Sequence, residues 1–168
     1  MTQVNEPKEK TLESETPPKK KPSESKIQAL KRLLGFSERS SLNETDISIA
    51  HYQTILKEKP NDKMAWMYLG GAFQKKFQFE KAIECKLMAS NISPNDPEVK
   101  FSLGCSYCAK GDFSAAIKSY LEALKFNPNY AEACEALADQ YLIIGQEGKA
   151  EEWLDKAQEI KLAQPKIL

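Results

Sequence analysis

Apolar side chains recur at helical spacing through most of this chain, and from residue 46 onward they come in blocks. Ile49, Tyr52, Ile55 and Leu56 share one face of a helix expected over 46–59, which Pro60 stops. Beyond it the pattern repeats itself. Leu69, Leu103 and Leu137 fall 34 residues apart, as do Gly70, Gly104 and Ala138; Phe73, Tyr107 and Tyr141; Ala82, Ala116 and Ala150; and Ala89, Ala123 and Ala157. A fixed period of this length marks a stack of identical supersecondary units, each unable to bury its apolar face alone. The leucines and aromatics would fill the gap between two helices. The small residues sit where the helices cross, because a larger side chain would force the axes beyond about 8–10 Å.

The punctuation between the blocks fits helix pairs. Gly111 and Gly145 can adopt the left-handed conformation that ends the first helix of a pair, whereas Phe77 holds that place in the first unit and predicts a strained turn. Asp96-Pro97-Glu98 is a strong helix start, with a capping carboxylate, a proline at the first position and an acid in the first turn. Asn129 with Glu132, and Ser41 with Glu44, look like capping boxes.

Trp66-Met67-Tyr68-Leu69-Gly70-Gly71-Ala72-Phe73 resembles the opening motif of a tetratricopeptide repeat, with Phe for the usual Tyr; Ala82, Ala89 and Pro94 complete that unit. The second unit carries Leu103, Gly104, Tyr107, Gly111, Ala116, Tyr120, Ala123 and Pro128, and the third Leu137, Ala138, Tyr141, Gly145, Ala150, Leu154 and Ala157. Lys100 and Cys134 stand where Trp66 stands, Lys86 replaces an aromatic, and Leu162 replaces the closing proline. The resemblance implies an all-α fold, a right-handed superhelical solenoid of antiparallel helix pairs with three clear repeats and a degenerate N-terminal one.

The expected organisation is a polar, basic tail over 1–25, an amphipathic helix and degenerate first repeat or cap over 26–62, repeats over 63–96, 97–130 and 131–164, and a short tail over 165–168. The tail holds prolines 7, 17, 18 and 22 among Lys, Glu, Ser and Thr, a composition unable to offset the entropy of ordering. Its Lys19-Lys20-Lys21 run reads as a solvated linker. Over 26–36, Ile27, Leu30, Leu33 and Leu34 share a face, best explained by packing on the chain's own domain.

In the tetratricopeptide fold the first helix of each pair lines a concave groove. The resemblance assigns to that groove Met64, Met67, Tyr68 and Gln74, then Glu98, Phe101, Cys105 and Cys108, then Glu132, Glu135 and Asp139. Methionines and aromatics make an adaptable apolar floor, and the acids lie toward the C-terminal half. The expected function is a non-catalytic adaptor or chaperone that holds a protein or peptide segment with apolar anchors and basic flanks. A chaperone of type III secretion translocators has a similar layout. A structural subunit is the alternative: Trp153, Leu154 and Ile160 on the last helix lack a polar capping helix, so homo-oligomers through the ends are expected. The cation clamp by which some tetratricopeptide domains grip a C-terminal carboxylate has no counterpart at Met67, Gly71, Ser102, Glu132 and Ala136.

Composition narrows the rest. Hydrophobic content of 41% supports a core and charged content of 29% supports solubility. The net charge is zero, with basic residues in excess over 1–35, so the repeats are mildly acidic and nucleic acid is not an expected partner. No apolar run approaches the ~20 residues of a membrane span and no signal pattern opens the chain, which points to the cytoplasm. His51 is the only histidine, so no acid–base or nucleophilic site can be assembled. Cys105 and Cys108 form a CxxC inside a helix, short of the four ligands of a structural zinc, and read as small packing residues. No cofactor or metal is expected.

Overall fold

The computed structural model describes residues 43–163 as seven α-helices, with no strand among the described residues. They are α1 (Glu44–Glu58), α2 (Lys63–Lys75), α3 (Phe79–Ile92), α4 (Pro97–Lys110), α5 (Phe113–Phe126), α6 (Ala131–Ile143) and α7 (Glu147–Ala163). The expected tails over 1–25 and 165–168 and the amphipathic segment over 26–36 lie outside the described residues. Each helix packs on the next, and α2 also touches α4, so the elements stack in chain order as a solenoid of antiparallel pairs.

The helix ends follow from single residues. Asp62, Asp96 and Asp112 cap α2, α4 and α5, their carboxylates accepting from the amides of Ala65 (3.0 Å), Glu98 (2.9 Å) and Ala115 (3.0 Å). Asn43 caps α1 through the amide of Asp46, and Ser41 of the expected Ser41–Glu44 box lies outside the described residues. The expected Asn129–Glu132 box is also corrected. Tyr130 stands 34 residues after Asp96, makes no side-chain cap, and α6 starts at Ala131. Its ring instead packs on Phe101, with centroids 5.0 Å apart.

At the turns, Gly111 (φ 88°) and Gly145 (φ 76°) adopt the left-handed conformation, and Phe77 does so at φ 58°. A side chain there costs about 1 kcal/mol. Phe77 is 79% exposed and leans edge-on against Phe79, so no burial of its own ring offsets that strain.

The six repeated alanines, 82, 89, 116, 123, 150 and 157, are all buried, as a close helix crossing requires. The buried apolar residues form two clusters. One joins Leu56, Leu69, Phe73 and Cys85 from α1 to α3; the other joins Tyr120, Leu124, Cys134, Leu137 and Ala157 from α5 to α7. Ion pairs brace the stack between helices: Lys63–Asp96 at 2.6 Å, Lys100–Glu122 at 3.0 Å, and Lys76–Asp46, which ties the α2–α3 turn back to α1.

Candidate partner-binding groove

The residues expected in the groove fall into three groups. On α2, Met64 (45% exposed) and Tyr68 (49% exposed) sit one turn apart, with Met67 half-buried between them. Tyr68 stacks on Tyr52 of α1, ring centroids 5.3 Å apart. Met67, Tyr68, Gly71 and Lys75 line one wall of a cleft of about 310 Å³, and Tyr52, Ser48, Thr45 and Glu44 of α1 line the other. A Cβ on Gly71 would meet nothing within 4 Å, which leaves the cleft floor open. A second hollow of about 550 Å³ lies on a different face of α2, lined by Trp66, Leu69 and Phe73 with residues of α1 and α3, and includes no expected groove residue.

On α4 the expected residues are more deeply engaged. Phe101 is wedged between Tyr120 (5.6 Å) and Tyr130 (5.0 Å), and Cys105 accepts the Tyr120 hydroxyl at 3.6 Å. Phe101, Cys105 and Cys108 are half-buried against the second core cluster, so most of their surface is structural. Gln74 at the end of α2 is likewise engaged, its Oε1 accepting from Lys86 Nζ and from the Ser106 hydroxyl, both at 3.0 Å.

Glu98, Glu132 and Asp139 are exposed. Burial pushes the Tyr130 hydroxyl upward and the charges of Glu98 and Glu132 add to the push, so both carboxylates bear on the same ring. Glu135 is different: it pairs with Lys161 of α7 and is not a free groove charge.

At the C-terminal end, Trp153 and Ile160 are half-buried against the second cluster, and Lys156 lies over the Trp153 ring at 4.8 Å. Leu154 is exposed. Further apolar surface at this end comes from Leu142, Ile143 and Ile144, where α6 runs out. Trp153 and Ile160, expected to be partly uncovered at the end of the solenoid, are half-buried, with one side packed on the second cluster.

The thiols are free and quiet. Burial pushes Cys85 up to about 11 and also raises Cys105 and Cys134, which keeps them protonated near neutral pH. Among the described residues no group of His, Cys, Asp and Glu could hold a metal ion, and no helix is long and apolar enough to cross a membrane.

The comparisons with known proteins agree with the repeat. The sequence pattern of the family described as "TPR repeat" matches residues 104–145, from the middle of α4 to the turn after α6. No curated protein matches the chain by sequence. Among solved structures, the crystal structure of MamA superposes with a TM-score of 0.68 at 19% identity, covering 81% of this chain and 78% of that one. A second crystal structure of MamA protein gives 0.66 at 26% identity over 82% and 70%. MamA from Desulfovibrio magneticus RS-1 gives 0.66 at 20% identity over 84% and 88%. These likenesses are of fold. The matched segment, the same 34-residue register on either side of it and the stacked helix pairs lead to one conclusion: residues 104–145 carry the tetratricopeptide-repeat pattern, and the chain folds as a solenoid of that type.

Proposed function

We propose that this chain is a non-catalytic adaptor or chaperone that holds a segment of another protein along α2, α4 and α6. The observation that carries this is the open cleft beside α2, lined by the half-buried Met67 and the exposed Tyr68, with Met64 exposed one turn before Tyr68. Exposed methionine and aromatic side chains beside a preformed hollow favour a helical or extended segment with apolar anchors. Glu98, Glu132 and Asp139 favour basic flanks toward the C-terminal half by charge complementarity. The unpaired thiols suit the cytoplasm.

Tyr68→Ala tests it. Tyrosine anchors at open clefts carry a large share of binding energy. Peptides selected from a random library on the wild-type chain are expected to bind Tyr68→Ala about ten-fold or more weakly, read by fluorescence anisotropy. Equal affinity for both proteins would sink the proposal. Phe101 is the poorer probe because its wedge between two tyrosines makes any change there a change of core.

Self-assembly remains a second proposal, supported by the exposed Leu142, Ile143, Ile144 and Leu154. It expects concentration-dependent oligomers by light scattering that Ile143→Glu abolishes. A wild-type monomer at every concentration rules it out.

A further inference from the structure

Lys86 occupies a position whose counterparts 34 and 68 residues on are Tyr120 and Leu154. At this place in the repeat a side chain of α3 or α5 slides beneath the preceding helix. The Tyr120 ring lies under Gly104, and the Lys86 stem lies under Gly70, its Cγ 3.1 Å from where a Cβ on that glycine would be. Lys86 is only 4% exposed. Its Nζ passes between α2 and α4 and donates to Gln74 Oε1 and to the Ser102 carbonyl, each at 3.0 Å. The Ser106 hydroxyl donates to the same Gln74 oxygen. This polar layer lies between the two apolar clusters.

The layer is one charge short of balance. Among the described residues no carboxylate lies within ion-pair distance of Lys86, and the neighbouring groups that bear on its charge are the thiols of Cys105 and Cys85. Two neutral oxygens offset only part of the desolvation of a buried ammonium, and one of its three hydrogens is unused. Gln74 supplies a second open donor. With its Oε1 fixed by two bonds, its Nε2 makes none among the described residues and is not sealed from solvent. Gln74 lies one turn beyond Gly71 in the open cleft floor.

We propose that Lys86 and Gln74 form a receptor for one carboxylate side chain, an Asp or Glu in the middle of the segment held in the groove. The inference rests on the groove function proposed above. The carboxylate accepts from Gln74 Nε2 and from the spare Nζ hydrogen and supplies the missing counter-charge. Its place in the segment follows from the order along the solenoid. Met64 and Tyr68 lie on α2, Glu98 on α4 and Glu132 and Asp139 on α6, with Lys86 Nζ held between α2 and α4. A segment crossing it runs from apolar anchors through an acid to basic residues, so the acid is a side chain and not a chain terminus.

A random peptide library fused at both ends to a carrier, so that no terminus is free, tests this on the full chain. Selection is expected to enrich Asp or Glu at one fixed position. Changing that Glu to Gln in a selected peptide is expected to weaken binding about ten-fold or more to wild type and hardly at all to Lys86→Met. Gln74→Met is expected to blunt the same preference, with circular dichroism confirming that both variants fold. Binders that lose affinity on Tyr68→Ala yet show no acid preference would overturn the receptor and leave the groove standing. Acid preference undiminished in Lys86→Met would overturn it too, as would binding that appears only with a free C-terminus. A library with no binder at all counts against the groove and the receptor together.

Discussion

Gly104→Ala is expected to destabilise the protein by about 2 kcal/mol, while Gly71→Ala, one repeat earlier and one residue further along, is expected to stabilise it by about 1 kcal/mol. Both glycines lie inside helices, so both substitutions gain the same helix propensity, about 1 kcal/mol. What differs is the space. A Cβ on Gly104 would stand 2.5 Å from Tyr120 Cε1 and 2.6 Å from its Cδ1. That ring is 2% exposed, rests on Phe101 and reaches Cys105 with its hydroxyl, so it has nowhere to move. Overpacking a fixed ring costs about 3 kcal/mol and outweighs the propensity gain. Gly71 faces the open cleft, where a methyl group meets nothing. Urea unfolding monitored by circular dichroism checks the pair: the midpoints should move in opposite directions with unchanged slopes. Equal shifts would mean that the crossing at Gly104 is looser than its geometry.

Lys86→Met is expected to stabilise the chain by about 2 kcal/mol at neutral pH, by replacing a buried, unpaired ammonium with an apolar side chain of similar length. Methionine keeps the packing beneath Gly70, and Gln74 keeps its bond from Ser106. The gain should depend on pH in a definite direction. Burial holds the Lys86 pKa below its ordinary 10.5. Between that depressed value and 10.5 the unfolded chain binds a proton that the folded chain has released, so wild-type stability from this group rises with pH. The advantage of Lys86→Met is therefore full below the folded pKa and shrinks as pH climbs toward 10.5. Cys85, raised to about 11, pulls the other way from its ordinary 9.0 upward, and because the Lys86 charge bears on that thiol the comparison is cleanest below pH 9. Denaturation midpoints of both proteins across pH 7 to 10.5 give the measurement. A constant difference would show that Lys86 does not titrate under the strain of burial. Stability gained together with binding lost would explain why a lysine stands where the repeat elsewhere uses Tyr120.

The repeat was legible because its determinants are local. Ala82, Ala89 and their counterparts need only the partner helix of their own pair, so the same small residues return at the same spacing and the period shows in the sequence. The left-handed turn at Phe77 was legible for the same reason, by comparison with Gly111 and Gly145. Met64 and Tyr68 are exposed and Met67 is half-buried, and the second wall of the cleft that Met67 and Tyr68 line includes Tyr52 of α1, a residue whose helical spacing indicates only burial. Trp153 and Ile160 are partly covered and Leu154 is exposed, a division set by how α7 lies on α6 and not by the spacing of apolar residues.

The sequence by itself therefore determined the architecture: helix pairs, their length, their stacking order and the close crossings at Gly70 and Gly104. These depend on contacts within a unit that recurs. Only the tertiary structure decided what the groove offers. Phe101 is taken up by Tyr120 and Tyr130, Glu135 by Lys161, and Lys86 is left beneath the floor without a counter-charge, its nearest acceptors on α2 and α4. Each of those outcomes depends on side chains from a neighbouring repeat or helix, where the residues differ from unit to unit and no period announces them.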